Sequence, residues 1–314
     1  MYKRILLLIA LLYTLACSNT EETTINSFHK TITVQHQNKM GISIYYQETN
    51  SIKPTIYFLS ASTSDRRSYE HIYNHLAKQG YVVVGISTQS FASDFMSYHF
   101  YDAITYARKI CTEKGLSDDR QIGLIGHSSG AGVLPSLGYM LFTQDKLGKD
   151  GRFIFGMSPW IDFQFKDSMK LPKNTNFVTQ LFENDHTTDP RIYLDMYKLM
   201  DVKHKTFIMV KEGGNHQTPF YAEPKELVQK GIYAPIESLA SFTFFNQNKE
   251  KIFSKNDIST KYLHIEAEGT LPSDKEYQHL LSSFQRSHNS SGCKPTENYA
   301  PNPREESCFN YINQ

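Results

Sequence analysis

The stretch "QIGLIGHSSGAGV", residues 121 to 133, sets Ser128 between Gly126 and Gly130, after an apolar run and before a string of small residues. A serine on a sharp turn from strand to helix presents its hydroxyl for attack, and glycines two positions either side relieve backbone clashes in that strained turn. The hydroxyl is nearly unionised at neutral pH, so it needs a base within hydrogen-bonding reach and a carboxylate to hold that base in one tautomer. "VKEGGNHQTPF" supplies the base, His216, on a glycine-containing loop just after the last apolar strand. His71 and His75 lie instead on an amphipathic helix, and His127 sits inside the serine turn. "FVTQLFENDHTTDP" closes another strand and offers Glu183, Asp185 and Asp189. Asp185 stands three residues past Phe182, where a carboxylate leaving the sheet can turn back under the imidazole; Asp189 is the alternative. Glu183, Asp185, His186 and Asp189 together could also hold a metal ion, although nothing else in the chain completes a hydrolytic metal site and no Cys/His spacing suggests zinc.

The segments that must position these groups alternate between two periods. "KTITVQ" and "GISIYYQ" read as strands joined by a hairpin, and "PTIYFLS" and "YVVVGIS" as buried strands. Tyr69, Ile72, Tyr73, Leu76 and Ala77 share one helical face ahead of a stop at Gly80; Phe100, Ala103, Ile104, Ala107, Ile110 and Cys111 mark a second helix. "RFIFGMS", "NFVTQLF" and "TFIMVKE" continue the strands, and a last helix is expected from Pro235 to Phe253. Strands alternating with helices predict an α/β fold with a mostly parallel central sheet covered by helices on both faces. The expected hydrolytic domain runs over 28–254, followed by a polar extension over 255–314.

Lysine plus arginine (33) nearly balance aspartate plus glutamate (32), so no global field favours nucleic acid or a polyanionic substrate. "MYKRILLLIALLYTLAC", residues 1–17, pairs a basic start with an apolar stretch too short to span a bilayer, which reads as an export signal ahead of a linker over 18–27. Its ending resembles the lipobox of bacterial lipoproteins, with Thr14 where leucine is usual; that resemblance implies a lipid on Cys17 and a membrane-anchored protein. In an exported protein Cys293 and Cys308 can pair, contributing roughly 3 kcal/mol by closing a small loop. Cys111 reads as a buried free thiol.

The chain from about Thr31 to Phe253 resembles the α/β-hydrolases, in which nucleophile, acid and histidine follow in that order, and within them the dienelactone hydrolase and cutinase-like polyesterase group. The resemblance rests on "GHSSG", "YFLSAST", "LAKQGYVVV", the pair Pro159 and Trp160 in "GMSPWIDF", "FENDHTTDP" and "GGNHQ". It implies a carboxylic ester hydrolase without a cofactor, with Ser128, Asp185 and His216 as triad, the amides of Ser129 and Ser62 as oxyanion donors, and Trp160 as a wall of the substrate site. Ala61 replaces the usual glycine of the first oxyanion turn. The residues from Ser158 to Thr175 are too few for a cap domain, so an open cleft is expected, suited to short acyl groups or to large substrates lying across the surface. A serine peptidase is the alternative within the fold, although the roughly thirty residues before the first strand leave no room for the large N-terminal domain usual in such enzymes. A surface binding protein that kept the scaffold but not the activity is the alternative from another class.

Overall fold

The computed structural model describes residues 21–25, 30–36, 40–49, 51–88, 96–160, 162, 164–166, 169–188 and 190–272. Its strands are β1 (Glu21–Ile25), β2 (Lys30–His36), β3 (Met40–Tyr46), β4 (Thr55–Ser62), β5 (Val82–Thr88), β6 (Gln121–His127), β7 (Gly151–Met157), β8 (Asn176–Phe182), β9 (His204–Val210), β10 (Ile258–Ser259) and β11 (Leu263–Ile265). They form one mixed sheet in the order β1-β2-β3-β5-β4-β6-β7-β8-β9-β11-β10. The six strands from β5 to β9 in that order run parallel. Every residue of β5 and of β8 is buried, which is why such segments read as unbroken apolar runs.

The expectation of a mostly parallel sheet holds for this centre and fails at the margins, where every remaining strand pairing is antiparallel. Short connections explain the pairings β1–β2, β2–β3 and β10–β11, whereas β3–β5 and β9–β11 join strands far apart in the chain. β2 to β3 and β10 to β11 are joined by a few residues, enough for a hairpin but not for the crossover that a parallel pair requires. β11 pairs with β9, so the first part of the polar extension continues the sheet.

Alternate side chains of the strands feed two cores, one on each face. Tyr57 and Leu59 of β4 join the core that holds Phe100, Ala103 and Ala107 of one helix, while Ile56 and Phe58 join the core under Ile72, Tyr73 and Leu76 of another. The helices are α1 (Glu70–Lys78), α2 (Met96–Glu113), α3 (Ser129–Gly132), α4 (Leu134–Gly138), α5 (Pro190–Leu199), α6 (Lys225–Val228) and α7 (Ala234–Phe245). α7 is shorter than the expected Pro235 to Phe253. Asn246 adopts a left-handed conformation (φ 56°), its N-H donates to the Phe242 carbonyl, and Gln247 N-H reaches back to Ser241, a C-terminal cap that closes the helix. Cys111 of α2 is a buried free thiol, and burial, with the charge of Asp119 second, pushes it up to about 12. Cys17, Cys293 and Cys308 lie outside the described residues.

Parallel strands deliver their carboxyl ends to one edge of the sheet. The turns after β4, β6, β7, β8 and β9 therefore gather there, carrying Ser62, Ser128, Trp160, Asp185 and His216.

Candidate active site

Ser128 stands between β6 and α3 with φ 55° and ψ −121°, a conformation that L-residues rarely adopt. Three backbone hydrogen bonds hold it there: Ser128 N-H donates to Met157 O at 2.9 Å, and Ser128 O accepts from Gly132 and Trp160, each at 2.9 Å. The flanking glycines have steric causes. A Cβ on Gly126 would lie 2.5 Å from Gly130 O, and one on Gly130 would lie 2.4 Å from Leu59 O and 2.5 Å from Ser60 O. The helix after the serine thus packs directly on the backbone of β4. Ser128 itself is half-buried.

Asp185 and His216 meet at the ends of β8 and β9. His216 Nδ1 lies 2.9 Å from Asp185 Oδ2, with both residues buried. The carboxylate also accepts from Thr187 N-H at 2.7 Å, Thr188 N-H at 3.2 Å and Thr188 Oγ1 at 2.9 Å. Burial alone would raise the Asp185 pKa, but the His216 hydrogen bond and charge, the neighbouring Ser158 hydroxyl and the Thr187 amide outweigh it and bring it down to about 2. Asn184 N-H donates to Gly214 O at 2.9 Å, which ties the acid loop to the histidine loop, and Gly213, at φ 85°, lets that loop reverse after β9. An ionised carboxylate on Nδ1 leaves Nε2 of His216 as the atom that can take and return a proton.

The remaining expected groups are distributed unevenly. Ser129 opens α3, so its N-H has no acceptor within the helix. The Ser62 N-H donates to Ser129 Oγ at 2.6 Å, so in this state that amide faces the Ser129 hydroxyl. Ala61 lies inside β4, and the left-handed residue of this turn is Thr63 (φ 59°), so alanine at position 61 meets no strain. Trp160 is half-buried and, with Leu134, Pro159, Phe177 and Met196, borders an apolar cavity of about 20 Å³. Asp189 lies outside the described residues. Comparisons with known proteins find neither a matching family model nor a significantly similar curated protein. The chemistry must therefore be read from the side chains themselves. Among the described residues one group has metal-ligand geometry, Asp257, His264 and Glu266, whose ligand atoms lie within 4.8 Å of one another, and it belongs to the β10–β11 hairpin rather than to the loops of Asp185 and His216.

Two residues that the sequence shows only as helix and turn fillers build the floor of the site. The fully buried His127 places its ring centroid 4.7 Å from that of His216, and its Nδ1 lies 2.7 Å from Tyr69 Oη. Tyr69 Oη accepts from Ala61 N-H at 3.1 Å, which leaves the phenol proton for His127 Nδ1. One chain of bonds thereby links the Ser62 turn to the residue preceding Ser128. Burial, then the charge of His216, holds His127 well below the usual imidazole range, so it stays neutral and does not compete as base. Tyr69→Phe is expected to cost roughly 1–3 kcal/mol, because the buried Ala61 N-H and His127 Nδ1 lose their partner. Urea unfolding checks it, and a variant as stable as wild type contradicts the bond chain.

Asp162 fixes the Trp160 segment from the other side. Its carboxylate accepts from Ser136 N-H in α4 at 3.2 Å and from Gln164 N-H at 3.0 Å. Burial, opposed by hydrogen bonds from Ser136 and Gln164, raises its pKa to about 6. A folded value above the unfolded one, near 4, means this group's stabilising contribution is complete below about pH 4 and is lost as pH rises through about 6, at most about 3 kcal/mol. Asp162→Asn should therefore flatten the fall of Tm between pH 4 and pH 7. An unchanged slope would show that Asp162 does not titrate there.

Proposed function

We propose that the protein is a serine hydrolase of carboxylic esters on an α/β-hydrolase fold. The observation that carries this reading is the buried His216–Asp185 pair at 2.9 Å, delivered to the same sheet edge as a serine held at φ 55°. The strand order supports it too, since β5 lies between β3 and β4 and the nucleophile follows the strand next to β4. In the proposed cycle Ser128 Oγ attacks the ester carbonyl while His216 Nε2 takes its proton. The amides of Ser129 and Ser62 stabilise the oxyanion, Ser62 releasing the Ser129 hydroxyl to do so. His216 returns the proton to the departing alcohol, and water, activated by the same histidine, frees the acid. Asp185 keeps the imidazole in one tautomer and stabilises its cation.

The segment from Ser158 to Thr175 is too short for a lid domain, so the proposed site is an open cleft that favours short acyl groups. We expect kcat/KM on p-nitrophenyl esters to fall at least about tenfold from acetate to octanoate. Activity that peaks on long chains and jumps above their critical micelle concentration would overturn the short-acyl reading. Among the described residues no helix is long and apolar enough to cross a membrane. Export under the signal of residues 1–17, with a lipid on Cys17, forms the proposed route to a membrane surface, and the mass of the mature N-terminus tests it.

A further inference from the structure

His216 stands on a short turn, and the proposed proton relay needs that turn to keep its place beyond β9. Its backbone is closed on itself. Asn215 N-H donates to Thr218 Oγ1 at 2.9 Å, and Thr218 N-H donates back to Asn215 O at 2.9 Å. Gln217 N-H donates to Asn215 Oδ1 and Phe220 N-H to Gln217 O, each at 2.9 Å. Residues 215–220 therefore move as one piece, so a displacement at Pro219 is carried to His216. On the β9 side Asn184 holds Gly214 O, but Gly213, at φ 85° with no atom within 4 Å of an added Cβ, leaves the piece a pivot. The hold on the far side comes from the first turn of α1. His71 Nε2 lies 3.1 Å from Pro219 O, and the Phe220 ring centroid lies 5.1 Å from those of Tyr69 and His127.

The protonation of His71 suits an anchor. A carbonyl oxygen only accepts, so the bond to Pro219 requires the proton on Nε2. Nδ1 of the neutral ring then accepts, and it lies 2.8 Å from Tyr233 Oη, whose hydroxyl donates. Tyr233 ends the helical turn Gln229–Tyr233 that joins α6 to α7. It is held in its turn by His75, whose ring stacks on it at 3.9 Å while His75 Nε2 lies 2.7 Å from Glu237 Oε1. Burial holds the His71 pKa below the ordinary imidazole value against the opposing Pro219 bond, so the ring is uncharged near pH 7. We propose that His71 is a positioning residue for the base: through Pro219 it holds the turn on which His216 stands, with Tyr233 fixing its tautomer. The inference rests on the ester hydrolase reading and adds to it a group that acts through the turn rather than on the reacting atoms.

Three variants test the anchor. His71→Ala removes it, His71→Gln keeps a side-chain N-H able to reach Pro219 O, and Tyr233→Phe keeps the stacked ring but loses the hydroxyl. We expect His71→Ala to lower kcat and kcat/KM on p-nitrophenyl acetate together by about ten- to a hundredfold, with KM almost unchanged, because a base displaced by roughly 1 Å costs on that order. His71→Gln should recover most of the loss, and Tyr233→Phe should fall severalfold. The rate at which a fluorophosphonate labels Ser128 should follow the same order. Nitrogen-15 spectra of the imidazoles read the anchor without turnover, and wild type should show His71 protonated on Nε2 and bare on Nδ1. The opposite tautomer would overturn the anchor. So would a folded His71→Ala, or Tyr233→Phe where that variant does not fold, that keeps the wild-type kcat and changes only the urea midpoint. Either result leaves the hydrolase reading standing. A folded wild type that neither hydrolyses an ester nor takes up the probe would overturn both readings together.

Discussion

Ser128→Ala and His216→Ala are each expected to lower ester turnover by about 10⁴-fold or more while leaving the fold intact, with Asp185→Asn close behind at about 10³–10⁴-fold. In the proposed cycle the serine supplies the attacking atom and the histidine relays the proton, so losing either would remove the covalent route as a whole. Asp185→Asn acts through the tautomer. An amide nitrogen in place of Oδ2 would donate toward His216 Nδ1, 2.9 Å away, and force the proton onto Nε2, where the base must be empty. Rates on p-nitrophenyl acetate, with circular dichroism to confirm folding, check all three. A full rate in Asp185→Asn would remove Asp185 from the triad. Asp185 also sets a pH limit. Its pKa of about 2 lies below the unfolded value near 4, so the stability it contributes is present above about pH 4 and is lost as pH falls toward 2. Any acid limb of activity between pH 5 and pH 7 must then belong to another group.

The second large effect is steric. Gly130→Ala should destabilise the protein by more than about 3 kcal/mol or prevent folding, because its Cβ would lie 2.4 Å from Leu59 O and 2.5 Å from Ser60 O, and backbone inside a parallel sheet cannot move aside. Gly80→Ala is the control: φ is +91° but no atom lies within 4 Å of the added Cβ, so only backbone strain of about 1 kcal/mol is expected. Urea denaturation of both variants separates the cases. Equal midpoints would mean that the helix after Ser128 does not rest on β4.

The contrast between these glycines also shows what could be read from residue types alone. The spacing of Gly126, Ser128 and Gly130 already implied a strained turn, and the strand-end placement of Asp185 and His216 implied their pairing, because both follow from local backbone rules. The parallel centre was legible for the same reason, in unbroken apolar runs such as "YVVVGIS". The antiparallel margins were not. β10 and β11 are too short, two and three residues, to show a period, and they exist as strands because β9 offers them a free edge. The end of α7 was misplaced because Ile252 and Phe253 are as apolar as the helix itself, while the stop depends on the backbone angle of Asn246. His127 and Tyr69 escaped because their partnership joins positions 58 residues apart, and each alone reads as an ordinary turn or core residue.

The central claim is that Ser128 is an activated nucleophile. A fluorophosphonate probe tests it directly, since it phosphonylates only a serine whose hydroxyl is deprotonated by a neighbouring base and whose oxyanion is stabilised. We expect one adduct per chain by intact mass, mapped to the peptide holding Ser128, abolished in Ser128→Ala and strongly slowed in His216→Ala. A folded wild-type protein that takes up no probe, or that is labelled equally in Ser128→Ala, would contradict the account.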